Sequence, residues 1–190
     1  TAPVGDYKDL DTLREFARGK DVITFDHEHV PTEFLRALMA EGVNVQPRPE
    51  ALQYAQDKLL MRQAVERLGL PNPRWAQVST LDELLAFGDE IGWPVVLKTP
   101  RGGYDGKGVL VLDSPAEARE RSAEWFEQLP SRTDFSALLA EEKVPFTREL
   151  SALVARRESG EVRPWPVVET IQVNSICDEV IAPAQNLDPE

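Results

Sequence analysis

The sequence predicts an α/β unit followed by an α+β unit. Helix-like and strand-like patterns alternate one for one up to about residue 45, and two further helical stretches carry the chain to about residue 70. A break carrying Pro71 and Pro73 follows, and after it the order becomes β-α-β-β-α-β. Alternation of the first kind is the mark of a mostly parallel sheet, and the second order is a compact split arrangement.

Residues 8–18 read as an amphipathic helix with Leu10, Leu13, Phe16 and Ala17 on one face. Residues 21–25 form a short apolar strand that runs into a polar loop, Asp26-His27-Glu28-His29-Val30-Pro31. Functional loops of such sheets lie beyond the carboxyl ends of the strands, where this one would sit. A helix from about Thr32 turns Phe34, Leu35, Leu38 and Met39 inward and stops at Gly42, and residues 43–45 give a second strand. Residues 47–55 suggest a short helix or turn, and a clearer helix runs from Asp57 to Leu68, closed by Gly69. Residues 70–74 read as a linker.

Beyond the linker, residues 75–78 are a strand, and Thr80 with Glu83 forms a capping box for a helix reaching about Ile91. Strands at 94–98 and 109–112 flank a glycine-dense loop. Ser114, Pro115 and Glu117 open the next helix, with proline in its favoured first position, and residues 136–142 are a further strand. A long hairpin is expected from 149–157 and 162–169, turning at residues 158–161, with a strand-like segment from Glu179.

The chain has 190 residues, is 42% hydrophobic and carries a formal net charge of −12. That charge argues against general nucleic-acid binding, which needs a basic footprint. The local cations Lys98, Arg101 and Lys107 therefore suggest a small anion held at one place. The single cysteine, Cys177, allows no intrachain disulfide and reads as a small buried hydrophobe rather than a nucleophile. No apolar run approaches a membrane span and no signal peptide is visible, so the expectation is a cytoplasmic protein. The chain begins at Thr1 without methionine and reads as a piece of a longer protein.

The loop itself, Gly102-Gly103-Tyr104-Asp105-Gly106-Lys107-Gly108, admits two compatible readings. It is a hairpin tip by its turn residues, or a cradle in which backbone N–H groups approach a phosphate with no Cβ in the way. The spacing is not that of a P-loop, and a strand rather than a helix follows. Lys98 is either a snorkelling edge residue or a charge aimed at a site, and carboxylates such as Glu141 and Glu149 at strand ends are commonly solvated. His27 and His29 lack the further ligands a metal site needs.

Taken together, Asp57-Lys58, residues 93–98, the glycine loop, Glu141-Glu142-Lys143-Val144 and Phe146-Thr147-Arg148-Glu149 resemble the ATP-grasp ligases. Within them the similarity is to the 5-(carboxyamino)imidazole ribonucleotide synthases, as the loop and the Glu28-His29-Val30-Pro31 segment indicate. The resemblance implies a partial parallel-sheet domain over 1–70 and an ATP-grasp domain over 71–190. The small lobe of the latter would span about 74–143 and its large lobe would begin at 144, with both ends of the fold truncated.

It also implies roles. Lys58 and Lys98 would contact the nucleotide phosphates, with Gly103, Gly106 and Gly108 closing over them. Glu141, Glu142, Lys143 and Val144 would form a hinge strand meeting adenine, Glu149 would bind on the ribose side, and Gln172 stands where many relatives carry a histidine. Glu28, Tyr104, Asp105 and Lys107 would face aminoimidazole ribonucleotide, and Lys98, Lys107 and Asp105 would serve catalysis. Lys107 replaces a common arginine, keeping the charge but losing the fork. ATP, bicarbonate and Mg²⁺ are implied, the magnesium ligands falling beyond Glu190, with a homodimer as the assembly. Residues 1–190 alone are expected to be inactive and to bind ATP weakly or not at all.

Overall fold

The computed structural model describes residues 4–103, 107–174 and 176–187. Tyr104, Asp105 and Gly106 lie outside the described residues, so the roles expected of them rest on sequence.

The first helices are α1 (Leu10–Ala17), α2 (Thr32–Ala40), α3 (Pro49–Gln56) and α4 (Lys58–Arg67). Ala17, Ile23, Val30, Leu35, Leu38, Val45 and Leu52 bury a small core among α1–α3 and the segments between them. Of the parallel sheet expected in this half, the described residues carry one bridge. Ile23 and Val45 form a single parallel bridge, and residues 21–25 and 43–45 otherwise have no ladder. One bridge satisfies too few backbone groups to define longer strands.

The second half is sheet-based. Strands β1 (Trp75–Val78), β2 (Val95–Lys98), β3 (Val109–Leu112) and β4 (Leu138–Glu142) form one antiparallel sheet in the order β1-β4-β2-β3. Helices α5 (Leu81–Ile91) and α6 (Pro115–Gln128) cover one face. Both start as their sequences dictate. Thr80 Oγ1 accepts from Glu83 N at 3.2 Å, and the Glu83 carboxylate reaches back to Ser79 N at 2.6 Å. Ser114 caps α6 in the same way, with Pro115 in its first turn.

Val95, Leu97, Leu112, Leu138 and Ala140 point into the core with Leu84 and Ala118 from the helices. Strand alternation therefore sends Val96 and Lys98, and with them Leu139 and Glu141, to the opposite face.

The long hairpin arrives in pieces: β5 (Glu149–Ser151), β6 (Val154–Arg156), β7 (Val162–Pro164), β8 (Val168–Val173) and β9 (Ile176–Ile181). β6 pairs with β7, while β5-β8-β9 make a separate sheet. The register slips by one residue between the two pairings. Pro164 and Pro166 bring no N–H to the ladder, which accounts for the break.

Candidate functional site

Register brings the charged groups together. Glu141 lies opposite Val96 on the face that also carries Lys98, so Lys98 and Glu141 are diagonal neighbours across two strands. Lys98 Nζ sits 2.5 Å from Glu141 Oε2. The other carboxylate oxygen accepts a short hydrogen bond from Arg62 Nε, reaching down from α4. Glu141 is only 3% exposed, so the carboxylate is compensated by two cations rather than by water.

α4 is fixed over this face by its first residues. Asp57 Oδ1 accepts from Leu59 N and Leu60 N at 3.0 and 3.2 Å, capping the helix, while Oδ2 accepts from Arg101 Nε at 2.9 Å. Lys58 N donates to Pro100 O at 2.9 Å, and Lys58 Nζ donates to Gly102 O at 3.1 Å. The helix start is thus tied to the root of the glycine loop through both neighbours.

Burial, and then the nearby charge of Lys98, hold the Lys58 ammonium below its ordinary pKa, against the opposing pull of Glu28, Asp57 and Glu141. Two lysines that repel one another in a partly desolvated place form a locus that an anion stabilises.

The loop root is built for close approach. Thr99 N donates to Gly108 O at 3.0 Å, extending the β2–β3 ladder by one step. Gly103 and Gly108 have φ of +84° and +80°. A Cβ on Gly103 would stand 2.5 Å from Lys107 O, and one on Gly108 2.5 Å from Thr99 Oγ1. Only glycine fits either position without displacement. Lys107 is exposed at the returning end.

A cleft of about 430 Å³ opens beside this root, lined by Glu28, Arg36, Gln56, Lys58, Arg101 and Gly102 among others. Gln56 Nε2 holds the 26–31 loop in place by donating to Glu28 O at 2.8 Å and Val30 O at 2.9 Å. Glu28 therefore faces the same cleft as Lys58.

The remaining candidates lie elsewhere. β4 ends at Glu142, so Lys143 and Val144 belong to the exposed segment after the strand. Glu142 binds Arg74 through N at 2.9 Å and Nε at 2.8 Å, which keeps its carboxyl below the usual range. Glu149 in β5 and Gln172 in β8 share the three-stranded sheet, with Gln172 exposed opposite Cys177. Cys177 is itself exposed rather than buried as its apolar neighbours suggested, because β9 has no layer packed over it. Among the described residues no cluster of three or more His, Cys, Asp or Glu could hold a metal ion.

Sequence reasoning missed Arg62 and gave Arg101 no partner. Arg62 is four residues after Lys58 and so shares its helix face, which is the one signal the sequence carries. The burial of Glu141 beneath that face, which requires a cation, exists only in the fold.

The structure thus sets a cationic locus between a covering helix and a glycine hairpin on an α+β lobe of order β-α-β-β-α-β. The model of the ATP-grasp domain matches residues 63–189, and that of the ribonucleotide synthetase preATP-grasp domain matches residues 1–56. The chain belongs to the ATP-grasp family.

Its relatives include the N5-carboxyaminoimidazole ribonucleotide synthase of Mycobacterium tuberculosis, 48% identical over 97% of this chain and 42% of that protein. A carboxyaminoimidazole ribonucleotide synthase from Aspergillus clavatus complexed with ATP superposes with a TM-score of 0.82 at 32% identity, covering 97% of this chain and 46% of the other. The Aspergillus clavatus enzyme in complex with ADP and 5-aminoimidazole ribonucleotide gives 0.81 at 30% identity, over 97% and 46%. The chain spans less than half the length of these relatives.

Proposed function

We propose that this chain is the phosphate-binding part of a ligase that carboxylates the exocyclic amine of 5-aminoimidazole ribonucleotide, using ATP and bicarbonate. One observation carries the reading: Lys58 Nζ is held on Gly102 O at the root of a glycine hairpin whose first strand ends in Lys98, beside a cleft that also presents Glu28. The relatives named above supply the substrate class.

In this reading Lys58 and Lys98 take the nucleotide phosphates, and the loop of Gly103, Tyr104, Asp105, Gly106, Lys107 and Gly108 covers them. Glu141, Glu142, Lys143 and Val144 pass the adenine, Glu149 meets the ribose, and Gln172 stands near the nucleotide. Glu28, Tyr104, Asp105 and Lys107 face the ribonucleotide. A bicarbonate oxygen attacks the γ-phosphorus and ADP leaves. The amine then attacks the carbonyl carbon of carboxyphosphate, inorganic phosphate leaves, and the amine gives up a proton.

Such chemistry asks the protein for position and countercharge more than for a nucleophile. Loop closure shields an intermediate that water destroys. Magnesium accompanies the nucleotide in this reading, on ligands the resemblance puts after Glu190.

The same reading divides the chain at about residue 70, with the small lobe over 74–143 and the large lobe from 144. It treats the Ile23–Val45 bridge as part of a parallel sheet. It extends to a cytoplasmic homodimer, and to residues 1–190 being inactive alone. No helix among the described residues is long and apolar enough to cross a membrane.

The test is ADP release by a full-length ligase carrying this sequence. Turnover that requires both aminoimidazole ribonucleotide and bicarbonate supports the reading. Turnover with biotin instead, or nucleotide binding with no turnover, rejects it.

A further inference from the structure

Arg62 has no part in the roles above, yet it holds a carboxylate that the fold has removed from water. Glu141 and Ser122 are the buried polar side chains among the described residues, and Glu141 alone of the two is charged. Its oxygens are divided, Oε1 to Arg62 Nε and Oε2 to Lys98 Nζ. Arg62 is itself anchored twice. Its Nη1 donates to Asn72 Oδ1 at 3.0 Å, and Asn72 Nδ2 donates back to Arg62 O at 3.1 Å. The Arg62 side chain is 19% exposed.

We propose that Arg62 is a positioning residue for Lys98, acting through Glu141, so that Lys98 can turn to a nucleotide phosphate without stranding a buried carboxylate. The inference rests on the reading of Lys98 as a phosphate contact. Were Lys98 the only partner of Glu141, every step of Nζ toward a phosphate would uncover a buried negative charge, and that penalty opposes nucleotide binding. With Arg62 on the other oxygen, Glu141 stays compensated wherever Nζ points.

The guanidinium suits the task. It presents several donors in a fixed plane, one set to Glu141 and another to Asn72. α4 thereby serves the locus with both Lys58 and Arg62, one turn apart. Lys58 ties the loop root and Arg62 the strand end.

The experiment measures ADP affinity by calorimetry and both substrate KM values in the full-length ligase. Arg62→Met is expected to weaken ADP and raise the KM for ATP by at least about tenfold, as truncating one partner of a buried ion pair does. The KM for the ribonucleotide should stay within about twofold, because Glu141 does not line the cleft beside Glu28. Arg62→Lys, which keeps the charge, should recover most of the loss. In a Glu141→Gln background the same Arg62→Met change should cost less than about threefold, since no carboxylate is left to strand.

That double variant carries no buried charge, so it remains measurable even if Arg62→Met alone fails to fold. Unchanged ADP affinity in Arg62→Met overturns the proposal while leaving the nucleotide reading intact. An equal loss in the Glu141→Gln background also overturns it, by assigning Arg62 a merely structural role. If the natural sequence binds no ADP, the nucleotide reading fails first and takes this inference with it.

Discussion

Gly108 closes the loop root, and replacing it by alanine isolates what the glycine contributes. Its φ of +80° lies in the left-handed region, which costs an L-residue about 1–2 kcal/mol. The new Cβ would stand 2.5 Å from Thr99 Oγ1 and 3.0 Å from Gly103 Cα. Thr99 can relieve the first contact by leaving its rotamer, for about 0.5–1.5 kcal/mol. The second sets the new Cβ against backbone and yields only if the hairpin opens by a few tenths of an ångström. Gly108→Ala should therefore destabilise the chain by about 2–3 kcal/mol.

Gly160→Ala is the matched control. Its φ is +88°, but the nearest atom to a new Cβ is Arg156 Nη2 at 3.9 Å, leaving backbone strain alone at about 1–2 kcal/mol. Urea denaturation of the two variants beside the parent chain, followed by circular dichroism, measures both. Equal midpoints for the two variants would refute the argument that close packing at the root adds to the strain.

Three further outcomes follow from the same geometry. Lys58 is held below its ordinary pKa of 10.5, and a bound phosphate favours its protonated form, so ADP affinity should start to fall at a pH below the usual lysine range. Calorimetry across alkaline pH checks this, and Lys58→Arg should move the fall to higher pH. The Glu142 carboxyl is held below 4.5 by the N–H and side chain of Arg74, so its stabilisation is present above 4.5 and lost as pH falls through its lowered pKa. Glu142→Gln should then shrink the difference between urea midpoints at about pH 6 and about pH 3. Leu97 is fully buried at the centre of β2, and Leu97→Ala should cost about 2–5 kcal/mol in the same unfolding assay.

Local chemistry was readable wherever neighbours in sequence decide the structure. Thr80 and Glu83 announce the start of α5, Ser114 and Pro115 that of α6, and apolar alternation marks β2 and β3 on either side of the loop. The strand expected at residues 21–25 shrank to one bridge because a strand exists only where a partner lies alongside. The long hairpin was legible as a pairing, but its division into two pieces depends on donors missing at Pro164 and Pro166.

At the site, the glycine loop, Lys58 and Lys98 stood out from residue type and family pattern. Their convergence did not, because it needs the strand order β4-β2 and the fold of α4 over the sheet. Arg62 and Glu141 are 79 residues apart in sequence, and neither calls attention to the other until the sheet forms. A charge that looks solvated at a strand end becomes, in the fold, the buried hub of the cationic locus.

The destination of the bicarbonate carbon decides the function. Full-length ligase carrying this sequence, supplied with ATP, aminoimidazole ribonucleotide and carbon-13 bicarbonate, should give a labelled carbamate carbon bonded to the exocyclic nitrogen of the imidazole. Carbon-13 NMR with a nitrogen-15 amine reads that bond directly as a one-bond coupling. Label appearing on a ring carbon, on biotin, or in no organic product while ATP is bound would rule out carboxylation of the amine.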